Sequence, residues 1–121
     1  MSTPLLFQPI TMRSVTARNR IAVAPMCQYS ADDGSMTDWH LQHLMNLTMS
    51  GAGLVMIEAT GVERRGRISH GCVGLYSDAN ERAMARVLAA ARAVQLPGTL
   101  IGIQLQHAGR KASAQRPWEG G

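Results

Sequence analysis

The sequence holds only two cysteines, Cys27 and Cys72, with no C-x-x-C pair, which argues against a disulfide framework and a zinc module. It is also poor in aromatics, with one phenylalanine, two tyrosines and two tryptophans, so its eight methionines must fill much of the volume that rings occupy elsewhere. Lysine occurs once, at position 111; the other cations are arginines scattered from Arg13 to Arg116, and a net charge of +4 spread this thinly draws no nucleic-acid-binding face. No apolar run approaches the ~20 residues of a membrane span. Met1-Ser2-Thr3-Pro4 lacks the basic stretch and apolar core of a secretory signal. The expectation is one cytoplasmic, thiol-reduced domain with no membrane and no nucleic-acid partner.

Phosphate-binding glycine loops are missing as well. There is no G-x-x-x-x-G-K-[ST], and the only G-x-G, Gly51-Ala52-Gly53, follows a helical stretch and precedes a strand, where helix capping accounts for it. What is present is an alternation. Three short continuous apolar runs, Ile21 to Ala24, Leu54 to Ile57 and Leu100 to Ile103, read as strands of a parallel sheet. Between the first two, Trp39, Leu41, Leu44, Met45 and Met49 recur at helical spacing, with Thr37 or Asp38 as cap. Between the second and third, Asp78-Ala79-Asn80-Glu81 reads as a capping box ahead of a stripe of Met84, Val87, Leu88, Ala91 and Val94. Phe7 to Ala17 reads as a small hairpin turning at Arg13-Ser14. Such an order belongs to an open doubly wound sheet or to a (β/α)8 barrel, and the pattern does not choose between them. Gln106 to Gly121 shows no periodicity and reads as a loop.

Ligands of both architectures gather at the C-terminal ends of strands. Those ends are Ala24-Pro25-Met26-Cys27-Gln28-Tyr29, Glu58-Ala59-Thr60-Gly61 and Gln104 to Lys111, and all three turn abruptly polar. Taken singly they are ordinary: Cys27 as a small buried apolar residue, Gln104 as a polar strand end, Tyr29 as a half-buried ring with a wet hydroxyl. His40 and His43 have the spacing of helical metal ligands but no visible carboxylate or thiolate partner, so no metal is expected. Arg64-Arg65-Gly66-Arg67 reads as a solvated loop, and His107 as support for the third strand's exit.

Together with Leu6-Phe7, Arg18-Asn19-Arg20-Ile21, Gly53 to Ala59, Gly66-Arg67-Ile68 and Gln104 to Ser113, these exits resemble the old yellow enzyme family, in its thermophilic-like or xenobiotic-reductase branch, across essentially the whole chain. The resemblance implies an α/β fold, the N-terminal part of a (β/α)8 TIM barrel: about three β/α units plus the hairpin, one incomplete FMN-binding domain over residues 1–121. It implies an FMN-dependent ene-reductase that takes electrons from NADPH or NADH and reduces an electron-poor alkene, and a homo-oligomer at full length. It places Ala24, Pro25, Met26 and Cys27 along the flavin, the Ala59 amide at its O4 carbonyl, Gln104 at its pyrimidine edge and Tyr29 toward the substrate, with Cys27 tuning the redox potential. The Gln104 amide suits that edge because one group both donates and accepts.

The family's paired substrate-binding histidines, proton-donating tyrosine and flavin-phosphate site have no counterpart in these residues. Gln106 and Gly61 stand where the branch favours a small residue and alanine. An open three-stranded sheet should be poorly stable alone, and the isolated chain is expected not to hold FMN. The alternatives are a non-catalytic remnant or interaction module and an open α/β nucleotide binder, the latter disfavoured by the missing phosphate loop.

Overall fold

The computed structural model describes residues 2–121. A hairpin opens the chain: β1 (Ile10–Met12) pairs antiparallel with β2 (Val15–Ala17), Met12 facing Val15 across the turn, and Arg13 takes a positive φ of 55° to close it. There follow β3 (Ala22–Val23), α1 (Asp38–Thr48), β4 (Leu54–Gly61), α2 (Asp78–Val94) and β5 (Leu100–Gln106). β3, β4 and β5 form one parallel sheet in that order, with Val23 level with Val55 and Val55 level with Ile101.

The apolar runs and helical stripes thus form the elements they predict. One start signal is resolved and one needs correction. The first helix is capped from Thr37, not Asp38, and there the His40 ring fills the role that Glu usually has in a capping box, its Nδ1 accepting the Thr37 N–H at 3.0 Å. The second is capped by Ser77, whose Oγ accepts the Asn80 N–H at 3.2 Å, so Asp78 is the first helical residue. Asn80 is buried instead, its amide reaching the Asp33 carbonyl and the Ser35 hydroxyl to pin the loop ahead of α1.

One continuous core joins Leu44 of α1, Val55 and Ile57 of β4, and Met84, Val87 and Ala91 of α2. Both helices therefore cover the same face of the sheet. Thr48 locks them together, its hydroxyl lying 2.9 Å from the Leu44 carbonyl and 3.2 Å from the Ala91 carbonyl in the facing helix. An open doubly wound sheet carries helices on both faces, whereas a barrel wall carries them on one; the arrangement is that of a barrel wall.

The Arg18-Asn19 motif closes the end of the sheet opposite the polar exits. Both side chains donate to the Gly51 carbonyl, at 2.9 and 2.8 Å, and Asn19 Oδ1 accepts the Gly53 N–H at 2.8 Å. A side chain at Gly53 would strike Asn19 at 2.7 Å, which explains the glycine.

Candidate functional site

In a parallel sheet the C-terminal strand ends share one rim, and here the three polar exits do so. Ala59 pairs directly with Gln104, and the segment after β3 runs beside β4 on its other side. Along this rim Ala24, Met26 and Gln104 are exposed, Pro25 and Cys27 are half-buried, and Ala59 is buried. Gln104 is exposed and its amide makes no hydrogen bond among the described residues, unlike that of Gln106 two residues on, which donates to the Gly66 carbonyl at 3.4 Å. The structure thus brings Ala24 to Cys27, Ala59 and Gln104 onto one open edge. Tyr29 lies at one end of it with a positive φ of 54°, its ring edge-on to Trp118 at 5.7 Å.

The ladder slips within this rim. Ile57 pairs with Ile103 but Ala59 pairs with Gln104, so Glu58 is an extra residue in β4. Such a bulge turns the strand and re-aims its side chains. Ile57 enters the core beside α1, and Glu58 turns toward the same helix, its Oε2 lying 3.5 Å from His40 Nε2. Glu58 Oε1 accepts the Gln28 N–H at 3.3 Å, and the Val73 N–H nearby also favours the charged carboxylate. Both partners are almost fully enclosed, at 4% and 1% side-chain exposure.

Burial pushes the Glu58 carboxyl up to about 7 despite its N–H donors. Burial, then the neighbouring His43, pulls His40 down to about 4. The geometry explains why His40 is neutral: its Nδ1 accepts from Thr37, so the ring proton sits on Nε2 and faces Glu58. Local spacing shows no carboxylate for His40 and His43, and the fold supplies one to His40 from the next strand. Among the described residues no cluster of three or more His, Cys, Asp or Glu is placed to hold a metal.

Nothing in the sequence ties the second cysteine to the first, yet the fold joins them. Cys72 is fully buried with its thiol close to that of Cys27, and the Ser69 N–H lies 3.3 Å from its sulfur. The two thiols act on each other: this contact first, then burial, pushes the Cys27 thiol up, and the same contact pulls Cys72 down. The hydroxyl of Tyr29 is raised above its ordinary value by burial first, and then by the two cysteines and Glu58.

The tail, expected to be a plain loop, folds back over the rim. Ala114 donates its N–H to the Ile68 carbonyl at 2.8 Å, a short turn at Pro117–Glu119 presents Trp118 to Tyr29, and Glu119 meets His70 at 2.8 Å. Proline ahead of Trp-Glu is the one sign of this turn in the sequence. His107 supports the exit of β5, with its Nε2 at 3.0 Å from Glu63 and its Nδ1 accepting the Gly109 N–H. Arg64 and Arg65 are exposed as expected of a solvated loop, while Arg67 is largely covered and pairs with Asp33 at 3.3 Å.

A parallel sheet with both helices on one face, and small and amide-bearing residues collected on its C-terminal rim, is an arc of a β/α barrel at its ligand-binding end. The chain belongs to the NADH:flavin oxidoreductase / NADH oxidase family, which it matches over residues 5–119. It is 50% identical over 113 residues to an NADH:flavin oxidoreductase of Gibberella zeae, covering 93% of this chain and 27% of that protein. It is 43% identical over 110 residues to an NADPH dehydrogenase of a Geobacillus species, covering 89% of this chain and 32% of that one.

The old yellow enzyme homologue of Zymomonas mobilis superposes with a TM-score of 0.75 at 33% identity, over 88% of this chain and 29% of that structure. Morphinone reductase in complex with tetrahydroNAD superposes with a TM-score of 0.76 at 29% identity, over 89% of this chain and 28% of that structure. The chain therefore spans about a third or less of the length of the relatives it matches. Its three-stranded sheet corresponds to part of their barrel, with no closed barrel among the described residues.

Proposed function

We propose that this chain forms one wall of the flavin site in an FMN-dependent NAD(P)H oxidoreductase that reduces activated carbon-carbon double bonds in the cytoplasm. The observation that carries the reading is the pairing of Ala59 with Gln104 beside the Cys27 segment, which sets three flavin-compatible groups on one open rim. The residues fit the cofactor chemically. Gln104 offers a donor and an acceptor from one exposed amide, matching the N–H and C=O of a flavin's pyrimidine edge. Ala24 and Ala59 carry only a methyl group each, so a flat ring can approach the backbone of both strand ends.

FMN, when bound, would supply the two-electron chemistry between the nicotinamide donor and the alkene. The protein's own contribution is to bind, orient and polarise. Gln104 would fix the ring's edge, and the backbone of Ala24, Pro25, Met26 and Cys27 would line it. The Ala59 amide would face its O4 carbonyl. Cys27 would place a polarisable sulfur beside the ring and tune its potential, and that sulfur stays protonated because Cys72 and burial both oppose ionisation. Tyr29, whose hydroxyl also resists ionisation, would donate a hydrogen bond to the substrate from the edge of the site.

The test is expression of the segment within its full reading frame, followed by a visible spectrum and an assay of NADPH and NADH oxidation with cyclohexenone. A flavin spectrum and enone-dependent turnover are expected, and Gln104→Leu should weaken FMN binding roughly tenfold or more by removing two hydrogen bonds. A colourless protein with no NAD(P)H oxidation would overturn the proposal.

A further inference from the structure

We propose that Glu58 is a positioning residue of this flavin site, its buried carboxyl holding the Cys27–Gln28 turn in place from beneath the rim, with His40 packed beside it. This rests on the flavoenzyme reading and assigns a role to a buried residue outside the set that would line the ring.

Three observations converge on it. Glu58 occupies the bulge of β4, immediately before Ala59, so the residue that breaks the ladder is also the one that aims the strand end. Its carboxyl sits where three separate elements meet: it accepts the Gln28 N–H of the turn after β3, lies near the Val73 N–H of the segment after β4, and lies 3.5 Å from His40 Nε2 at the start of α1. Trp39, the neighbour of His40, donates its indole N–H to the Gln28 side chain at 3.0 Å, so α1 grips the same turn twice.

The third observation is chemical. A carboxyl at 4% exposure has no cation beside it: the titratable groups facing it are His40 and His43 from α1, Cys72 from the segment after β4, and Cys27 and Tyr29 from the exit of β3. An enclosed carboxylate without a cation is costly, and glutamine would make the same acceptor bonds at lower cost. What glutamine cannot do is ionise. Glu58 therefore brings a titratable charge close to the Cys27 sulfur, where it opposes formation of the thiolate.

The experiment compares wild type, Glu58→Gln and Glu58→Ala as FMN-loaded full-length proteins, measuring the FMN dissociation constant and titrating the visible spectrum of the bound oxidised flavin from about pH 5 to about pH 9, a range that brackets a raised carboxyl. Glu58→Ala should weaken FMN binding at least tenfold, because the Gln28 turn loses its acceptor. Glu58→Gln should restore binding to within about threefold of wild type, yet abolish a spectral transition that wild type shows near neutral pH.

The rescue by Gln separates positioning from a general loss of folding, and the lost transition separates it from a merely structural hydrogen bond. A Glu58→Gln titration superimposable on wild type, or FMN binding unchanged in Glu58→Ala, overturns the inference and leaves the flavoenzyme reading standing. A wild-type protein that binds no FMN overturns both.

Discussion

β4 and β5 are paired along their whole length, yet they occupy different surroundings. In β4 every residue from Ile57 to Gly61 is buried, and Val55 is fully enclosed. In β5 none is buried, and Leu105 is 59% exposed. β4 has strands on both sides and both helices against it, whereas β5 pairs with β4 alone among the described residues. Similar apolar runs thus play unequal parts: β4 anchors the arc, and β5 presents an open surface on which Gln104, proposed to meet the flavin, is exposed. Gly102 marks the one point of close approach in β5, since a side chain there would meet the Met56 sulfur at 2.5 Å.

The comparison can be broken at its strong end first. Ile57→Ala removes a buried side chain from the helix–sheet core and should cost about 3 kcal/mol in urea unfolding. A loss below about 1 kcal/mol would mean that β4 is not the anchor.

The second test uses pH. The Glu58 carboxyl is raised from 4.5 to about 7 in the folded protein, so its contribution to stability is fully present below about pH 4.5 and is lost as pH rises through about 7. Each pH unit by which a folded carboxyl is raised corresponds to about 1.4 kcal/mol, so wild type should lose roughly 3 kcal/mol relative to Glu58→Gln across that window. His40 acts in the opposite direction. Lowered from 6.5 to about 4, it stabilises above pH 6.5 and stops doing so as pH falls through about 4; being common to both proteins, it cancels in their difference. Parallel stability curves for the two proteins would show that the carboxyl is not held in its buried form.

At the weak end, Leu105→Ala should change stability by no more than about 0.5 kcal/mol in the same urea titration. A large loss would place β5 in the core and erase the contrast.

The order of the elements is legible in the sequence, but the contrast between β4 and β5 is not, because their apolar runs read alike. The three apolar runs and the two helical stripes fix the order of elements, and the polar exits mark the rim, because both follow from local periodicity. Which faces the helices cover is not legible, since open sheets and barrels share one alternation. Nor is the Glu58–His40 contact, which joins a strand end to a helix start through a fold that local spacing does not encode. The same holds for Cys72 against Cys27 and for Trp118 against Tyr29. Ser77 is masked as a cap because Asp78 and Glu81 imitate a capping box one residue later.

The slip at Glu58 has a consequence for how this strand tolerates change in length. Counting alternate residues from Leu54 gives the right inside-outside assignment only as far as Ile57; from Ala59 onward the parity is reversed. Deleting Glu58 would let the ladder run on without interruption, with Ala59 still level with Gln104. Ala59 and Thr60 would keep the sides they have, so a single missing codon would remove the buried carboxyl and leave the rim in register, whereas a residue lost at any other point of the strand would turn one part of it over against the other.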